Sequence, residues 1–330
     1  MAASEHDRYS AAIVGQVTDM ERTAAKVVWG ILPAIITIVS MCFVAAAAAG
    51  ESGAEQVPGS AAAPADAMKL AQLAPPSGHP TGILGPQDRR VQLVRPDQWP
   101  WSSIGRINIV LGTGLRGLCT GTLIGPRQVV TAAHCLFDTR QNDWAKPTVM
   151  HFVVGQSGDK SFGDSGVESF VVSPQFKFRV EDRPRYDFIR FDMVKHDWAI
   201  LSLTGAMRPK PLAIQSLQNV ELPRSDKEEI ALAGYGIDRQ YVLSVHKGCT
   251  ARIDSPDPQM IKHTCDTAPG QSGGPILLLQ NGEAALVGLH SADSQRFQSQ
   301  VGYQAIAGYG ASASAFAEAA AAAPSTQQPR

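Results

Sequence analysis

The chain has 330 residues, and its 29 Lys and Arg residues nearly balance its 30 Asp and Glu residues, giving a formal net charge of −1. This balance argues against a nucleic-acid-binding protein, which normally carries a basic excess or a basic stripe. The length allows one large domain or two ordinary ones. The 30 Gly and 22 Pro residues are typical of a turn-rich protein with short strands rather than of a helical bundle.

The first predicted element is an uncharged hydrophobic stretch, Val27–Ala49, that follows Arg22 and Lys26. Its length fits either a membrane-spanning helix or the core of a signal peptide. The small residues at its end suit cleavage by a signal peptidase. We therefore interpret residues 1–50 as a signal peptide or an N-terminal membrane anchor. Both alternatives predict an exported protein, which is secreted, periplasmic or anchored to a membrane.

Two segments of biased composition flank the central part of the chain. Residues 51–97 are rich in Ala, Pro, Gly and Ser without a sustained hydrophobic period, which predicts a linker or a pro-segment. Residues 311–330 form a low-complexity, Ala-rich tail that would form a frayed helix at most. We expect this tail to lie outside the folded body.

Between Trp99 and Gly310 the apolar runs are short and separated by turn sequences such as Gly125–Arg127, which predicts an all-β protein. A Pro-containing connector, residues 205–224, divides the runs into two sets, which favours two β-barrels. The runs are Ile107–Leu111, Gly121–Ile124, Gln128–Ala133, Val149–Val154, Phe170–Val172, Trp198–Leu203, Ile230–Ala233, Tyr241–Val245, Ile276–Leu279 and Ala285–Leu289.

The cysteine count agrees with export. Cys42 lies in the hydrophobic stretch, and the four remaining cysteines allow three pairings. The local pairing, Cys119 with Cys135 and Cys249 with Cys265, would close two loops of about 15 residues, each stabilising by roughly 3 kcal/mol. Four free thiols are less expected in an oxidising compartment. No C-x-x-C or H-x-x-x-H spacing supports a metal site, and we predict neither a metal nor a cofactor.

Three segments contain the residue types that activate a serine nucleophile. VTAAHC contains His134, HDWAILSL contains Asp197, and DTAPGQSGGP contains Ser272 in a Gly-rich turn. A serine hydroxyl needs an imidazole to accept its proton, and the imidazole needs a carboxylate to orient it. Gly270, two residues before the serine, would let the turn direct backbone N–H groups at a developing oxyanion.

Chain order distinguishes the hydrolase classes. GQSGG also fits the G-x-S-x-G elbow of α/β-hydrolases, whose order is Ser, acid, His. Only 58 residues follow Ser272, and His290 is too close behind it to leave room for the acid strand. A subtilisin-like order needs its Asp before the His. The order His134, Asp197, Ser272 therefore remains.

The segments TAAHC, DWAILSL and DTAPGQSGGP resemble the active-site signatures of the chymotrypsin/trypsin-like serine endopeptidases. The wording CDTAPGQSGGP is closest to the bacterial V8-like (glutamyl endopeptidase) branch. The resemblance covers about Trp99–Tyr309. It implies a trypsin-like domain at 98–310, made of two six-stranded antiparallel β-barrels, about 98–205 and 225–310, with the active site in the cleft between them.

The same resemblance implies the role of each site residue. His134 would be the general base, Asp197 its orienter and Ser272 the nucleophile, and the N–H groups of Gly270 and Ser272 would form the oxyanion hole. It further implies that a Cys119–Cys135 disulfide brackets the histidine loop.

One departure concerns activation. Trypsin-like zymogens have an aspartate immediately before the nucleophile, and it pairs with a newly freed N-terminal amine. This sequence has Gln271 at that position and no I-V-G-G start near Trp99. We therefore expect activation without that ion pair, although a pro-segment can still be removed.

Hairpin geometry brings a second histidine to the site. If Asn281–Gly282 is a two-residue turn, the register places Gly273 opposite His290 and Ser272 opposite Ser291. His290 would then lie on the wall of the substrate pocket, where the alternative is a solvated histidine at a strand end.

Three residues are substrate-binding candidates. Asp266 lies six residues before Ser272, where trypsins place the carboxylate that selects Lys or Arg. In the glutamyl-endopeptidase branch the same C-D-T wording occurs without this specificity. In that branch a His in a G-[IVL]-H segment and the Thr of C-D-T bind a substrate carboxylate, and His290 and Thr267 match them. We expect cleavage after Glu or Asp, with Lys or Arg as the alternative.

Two function classes follow. The first is an exported serine endopeptidase that acts on proteins or peptides. The second is a catalytically silent homologue that serves as a binding module. A silent homologue would usually lack a triad residue, and all three are present here.

Overall fold

The computed structural model describes residues 82–84, 87–110, 116–178, 189–253, 257–298 and 302–323, without the side chains of residues 295–298 and 302–304. All of them belong to one compact unit, Lys69–Arg330. The predicted signal or anchor segment and most of the predicted linker lie outside the described residues. Among the helices that are described, none has the length and apolar character needed to cross a membrane.

Short strands dominate the described residues, as the many turns and apolar runs indicate. A helix, α1 (Ala313–Ala322), and short 3₁₀ segments such as Ala133–Leu136 and Phe191–His196 complete the fold. The strands are β1 (Val91–Gln92), β2 (Ile104–Val110), β3 (Arg116–Gly125), β4 (Gln128–Thr131), β5 (Phe137–Asp138), β6 (Asp143–Trp144), β7 (Met150–Val154), β8 (Gly163–Val172), β9 (Ala199–Leu203), β10 (Ala213–Ile214), β11 (Val220–Leu222), β12 (Glu228–Gly234), β13 (Ser244–Cys249), β14 (Ala251–Ile253), β15 (Met260–His263), β16 (Pro275–Gln280), β17 (Glu283–Gln298) and β18 (Gly302–Ser312).

The first barrel is a closed antiparallel circuit of six strands, in the order β2, β3, β4, β9, β8, β7. Its strands are rich in Val, Ile and Leu, which fit the half-buried surface of a pleated sheet. Their inward side chains, including Phe152, Leu201 and Leu203, are fully buried in one core cluster.

The second barrel closes through a strand that one residue interrupts. β13 ends at Cys249 and β14 begins at Ala251, and the two segments pair with β12 and β15 respectively. The circuit then runs through β18, β17 and β16 back to β12. The predicted all-β class with two six-stranded antiparallel barrels is therefore confirmed.

Both local disulfides are present in the structure. Cys119–Cys135 joins β3 to the 3₁₀ segment after β4, and Cys249–Cys265 joins the end of β13 to the segment after β15. Each bond spans a sequence separation of 16 residues. In the chain-entropy model a loop of this size stabilises the fold by roughly 3 kcal/mol.

The expectation that the C-terminal tail lies outside the folded body is wrong up to residue 323. Helix α1 buries Ala313, Phe316 and Ala320, whose spacing places them on one helix face. Phe316 shares a core cluster with Val130 of the first barrel and Leu289 of the second. The low-complexity composition did not predict this buried helix face, because the face consists mainly of alanines.

The predicted linker also needs correction at its C-terminal end. β1 pairs antiparallel with β13, and the N–H of Leu93 donates to the carbonyl of Leu243 at 2.9 Å. Arg90 is buried. Residues 87–93, which we call the upstream strap, are therefore part of the folded body rather than of a linker.

Candidate active site

His134 and Asp197 are brought together by the first barrel. His134 lies in the 3₁₀ segment after β4, and Asp197 lies just before β9. β4 and β9 are paired, with Thr131 opposite Ala199, so the two segments leave the sheet side by side. The position of both residues thus follows from the strand register.

The Asp197 carboxylate holds His134 at two points. Oδ1 accepts from the His134 backbone N–H at 2.8 Å, and Oδ2 lies 2.6 Å from the ring Nδ1. Because a carboxylate accepts hydrogen bonds, Nδ1 carries the ring proton of the neutral imidazole, which leaves Nε2 as the basic nitrogen. Asp197 is fully buried, and Ser291 from the second barrel donates its hydroxyl to Oδ2.

The turn that carries Ser272 is held by β3 of the first barrel. The N–H of Thr120 donates to the Ser272 carbonyl at 2.9 Å, and its hydroxyl donates to the Gly270 carbonyl at 3.1 Å. Cys135 Sγ lies 3.8 Å from His134 Nε2 and 3.9 Å from the Ser272 carbonyl oxygen. The disulfide therefore lies beside both the candidate base and the candidate nucleophile.

Two glycines allow the turn to take this shape. Gly270 and Gly273 have positive φ values of 96° and 78°. A Cβ atom at Gly273 would lie 2.2 Å from Thr131 Oγ1, so no larger residue fits there without a shift. In the described part of the chain, the backbone N–H groups of Gly270 and Ser272 have no hydrogen-bond acceptor.

The predicted hairpin register needs a one-residue correction. Asn281 and Gly282 form the turn with φ values of 52° and 81°, and Gln280 pairs with Glu283 as predicted. A bulge at Ile276 and Leu277 then shifts the later pairs by one position. The predicted neighbours nevertheless meet, because the N–H of Gly273 donates to the carbonyl of His290 at 2.7 Å, and the N–H of His290 donates to Gly274.

The structure does not place Asp266 as a substrate-binding residue. Its fully buried carboxylate accepts hydrogen bonds from Arg89 Nη2 at 2.7 Å and Nε at 2.9 Å, and from the N–H groups of Leu84 and Arg89. Burial alone would raise the pKa of Asp266, but these hydrogen bonds outweigh it and the pKa lies below its usual value. The carboxylate is thus committed to the segment upstream of the barrels.

Thr267 and His290 lie together, around a third residue that sequence reasoning missed. Thr267 donates its hydroxyl to Asp293 Oδ2 at 2.8 Å, and His290 Nε2 lies 3.9 Å from the same oxygen. On its other side His290 Nδ1 lies 3.0 Å from His263 Nε2. His290 is buried, which contradicts the alternative of a solvated histidine.

The cluster of Thr267, His290 and Asp293 has unusual protonation behaviour. Burial lowers the pKa of His290, although the Asp293 charge acts in the opposite direction. Burial also raises the pKa of Asp293. Both shifts act against the charged forms of these two side chains. No sequence pattern indicated that Asp293 would lie beside Thr267 and His290, because irregular pairing interrupts β17 between His290 and Ala292.

A histidine–aspartate pair on one β-barrel, facing a serine turn on a second, defines the class of two-barrel serine peptidase folds. The family model described as a trypsin-like peptidase domain matches residues 119–289, just over half of the chain. The chain belongs to the trypsin-like peptidase family.

Two curated relatives match shorter stretches. Transmembrane protease serine 5 of Homo sapiens is 30% identical over 91 residues, which cover 28% of this chain and 19% of that protein. The glutamyl endopeptidase of Bacillus licheniformis is 33% identical over 63 residues, covering 19% of this chain and 18% of the relative. The chain thus spans about a fifth of the length of the curated relatives it matches.

A solved structure of a Glu endopeptidase in complex with MPD has the same fold. It is 20% identical in sequence, covers 72% of this chain and 99% of its own, and superposes with a TM-score of 0.52.

Proposed function

We propose that this chain is an exported serine endopeptidase that cleaves proteins or peptides through His134, Asp197 and Ser272. The observation that carries the proposal is the doubly anchored His134–Asp197 pair next to the Ser272 turn. The family membership and the likeness to endopeptidases support the same reaction class. The two disulfides support a fold that matures in an oxidising compartment.

The proposed reaction uses each residue at a stated atom. His134 Nε2 accepts the Ser272 hydroxyl proton as Oγ attacks the scissile carbonyl carbon. The Gly270 and Ser272 N–H groups donate to the resulting oxyanion. His134 then gives its proton to the leaving amine, and the C–N bond breaks to leave an acyl-enzyme. Water attacks the ester carbonyl carbon as His134 accepts a proton from it. His134 then returns this proton to Ser272 Oγ as the ester C–O bond breaks, which releases the acid product and restores the Ser272 hydroxyl.

The test is covalent labelling of the full secreted chain with a fluorophosphonate, which reacts with an activated serine. We expect labelling of the wild type, none of Ser272→Ala, and unchanged labelling of Ser225→Ala, which alters an exposed serine. Folded, fully processed wild-type protein that resists the probe would instead favour the catalytically silent binding module.

For specificity, we propose a preference for Glu or Asp at P1 that depends on the protonation of Asp293. A protonated Asp293 can donate a hydrogen bond to a P1 carboxylate beside Thr267 and His290, whereas an ionised Asp293 repels it. An ionised Asp293 would instead favour Lys or Arg, the alternative preference. Peptides with Glu, Gln, Arg and Phe at P1 test this, and a preference for Arg throughout the pH range would contradict it.

We further propose that residues 1–50 are a signal peptide or an anchor and that the protease domain extends from the upstream strap to residue 323. Mass determination of the N-terminus of the exported protein tests the assignment of residues 1–50. A mature chain beginning near residue 51 supports a cleaved signal peptide, whereas retention of residues 27–49 supports the anchor.

A further inference from the structure

The upstream strap inserts a buried arginine beside the nucleophile turn. The strap lies along β13, where Val91 pairs with Val245 and Gln92 with Ser244. Its backbone is also held by Arg239, whose Nη1 donates to the Arg90 carbonyl at 3.1 Å. This attachment orients the Arg90 side chain, which is only 4% exposed, towards the interior.

The Arg90 guanidinium is neutralised on one side and donates to the turn on the other. Nη2 lies 2.9 Å from Asp88 Oδ2 and 2.8 Å from Asp238 Oδ2. Nη1 donates to Gln271 Oε1 at 3.0 Å. Burial would lower the pKa of Arg90, but the hydrogen bonds to the two carboxylates outweigh it and the pKa is raised. Arg90 is therefore a cation at every relevant pH.

Gln271 transmits this contact to the proposed oxyanion donors. It is fully buried and lies between Gly270 and Ser272 in the chain. Its Oε1 also accepts from the N–H of Ala268 at 2.8 Å, and its Nε2 donates to the Gly234 carbonyl at 3.3 Å. A side chain held by three partners fixes the backbone that carries it. The peptide group that follows Gln271 contains the Ser272 N–H. The peptide group that precedes Gln271 contains the Gly270 carbonyl and is next to the Gly270 N–H.

We propose that Arg90 is a positioning residue for the nucleophile turn, acting through Gln271. The cation that holds the residue before the nucleophile is thus a side chain of the intact chain rather than a newly freed amine. Two consequences follow: the turn is set without cleavage near Trp99, and any pro-segment is removed upstream of Asp88. This inference rests on the proposed function, because it concerns the same serine.

A double-mutant cycle on the full chain tests the route through Gln271. The variants are Arg90→Met, Gln271→Met and the double variant, and the readouts are the fluorophosphonate labelling rate and the thermal unfolding midpoint. We expect Arg90→Met to slow labelling about tenfold or more, the effect of losing one charge-assisted hydrogen bond. In the Gln271→Met background the same substitution should change the rate less than about twofold.

The matched control is Arg95→Met, since Arg95 is 62% exposed and pairs only with Asp97 among the described residues. It should leave the labelling rate unchanged. Additive effects of Arg90→Met and Gln271→Met would overturn the proposal, because Arg90 would then act only through Asp88 and Asp238. If Arg90→Met does not fold, the cycle is run with Arg90→Lys, which keeps the charge but loses the planar fork.

The N-terminus of the labelled protein gives an independent readout. Mass spectrometry should find residues 88–93 in every labelled molecule, and labelled protein that begins after Leu93 would overturn the proposal. Failure of the proposed function is separate from these outcomes, because it appears as an unlabelled wild type. That result would overturn both proposals together, whereas additivity in a labelled protein overturns only this one.

Discussion

The two halves of the candidate site are supported in different ways. His134 and Asp197 follow paired strands of one barrel, so the sheet register places them and the backbone N–H of His134 reinforces the pair. The Ser272 turn is instead held by side chains of distant segments: Thr120 of β3 donates to the Gly270 carbonyl, and Arg90 of the upstream strap donates to Gln271 within the turn. The first half is placed mainly by strand pairing within one barrel, with the Ser291 hydroxyl of the second barrel added to Asp197. The second half depends on distant segments, so it should be the easier one to disturb without changing the barrels.

The largest effect should come from the half that contains His134 and Asp197. Asp197→Asn should reduce kcat by about 10⁴-fold, because an amide no longer fixes the Nδ1–H tautomer of His134. Peptide hydrolysis by the purified variant measures this loss. Asp192→Asn, which alters an exposed aspartate in the preceding 3₁₀ segment, is the matched control and should retain full activity. A loss below tenfold would show that the pair does not orient the base.

The next effect concerns helix α1, whose Phe316 packs in a core cluster with residues of both barrels. Phe316→Ala should lower the free energy of unfolding by about 3–5 kcal/mol, because it leaves a cavity in the core cluster that joins the barrels. Denaturant unfolding measures it. Glu318→Ala alters an exposed position of the same helix, so it serves as the matched control and should change stability little.

A smaller effect should come from the strap. Arg89→Met should lower the free energy of unfolding at pH 7 by about 1–2 kcal/mol. This effect is smaller than that of breaking a fully buried ion pair, because the Arg89 side chain is 47% exposed. The pKa of Asp266 is depressed in the fold. Its ionisation therefore stabilises the protein above the unfolded pKa, and this contribution is lost as pH falls through the folded pKa.

Unfolding measured against pH checks the sign of this linkage. The difference between wild type and Arg89→Met should shrink as Asp266 becomes protonated at acidic pH. A difference that stays constant down to acidic pH would show that Arg89 stabilises by packing alone.

The smallest effect concerns the substrate pocket. The ratio of kcat/KM for Glu over Gln at P1 should fall about fivefold as pH rises through the raised pKa of Asp293, because the carboxylate form repels the substrate. Asp293→Asn should make the ratio independent of pH over this range. A wild-type ratio that is already independent of pH would remove Asp293 from the specificity determinants.

Most of the strands and the three candidate catalytic residues could be predicted from local sequence patterns. Short apolar runs between turns marked the strands, and the Asn281–Gly282 turn with two positive φ values fixed the start of its hairpin. The motifs around His134, Asp197 and Ser272 could be read because each lies within a few residues of a strand.

The supporting contacts could not be read in the same way. Arg90 reaches Gln271 across 181 positions, and Arg89 reaches Asp266 across 177, so neither pair produces a periodic signal. The bulge at Ile276 and Leu277 shifted a register that a regular hairpin would have kept. Asp266 lies at the sequence position expected for a specificity residue, but its carboxylate binds Arg89, a contact that the sequence did not predict.

The Cys119–Cys135 disulfide ties the proposed chemistry to the redox state of its surroundings. Cys119 precedes Thr120, which holds the serine turn, and Cys135 follows His134. One covalent bond therefore restrains the chain next to His134, the candidate base, and the chain next to Thr120, which holds the Ser272 turn. Reduction of this bond would therefore be expected to affect both segments of the candidate site at once.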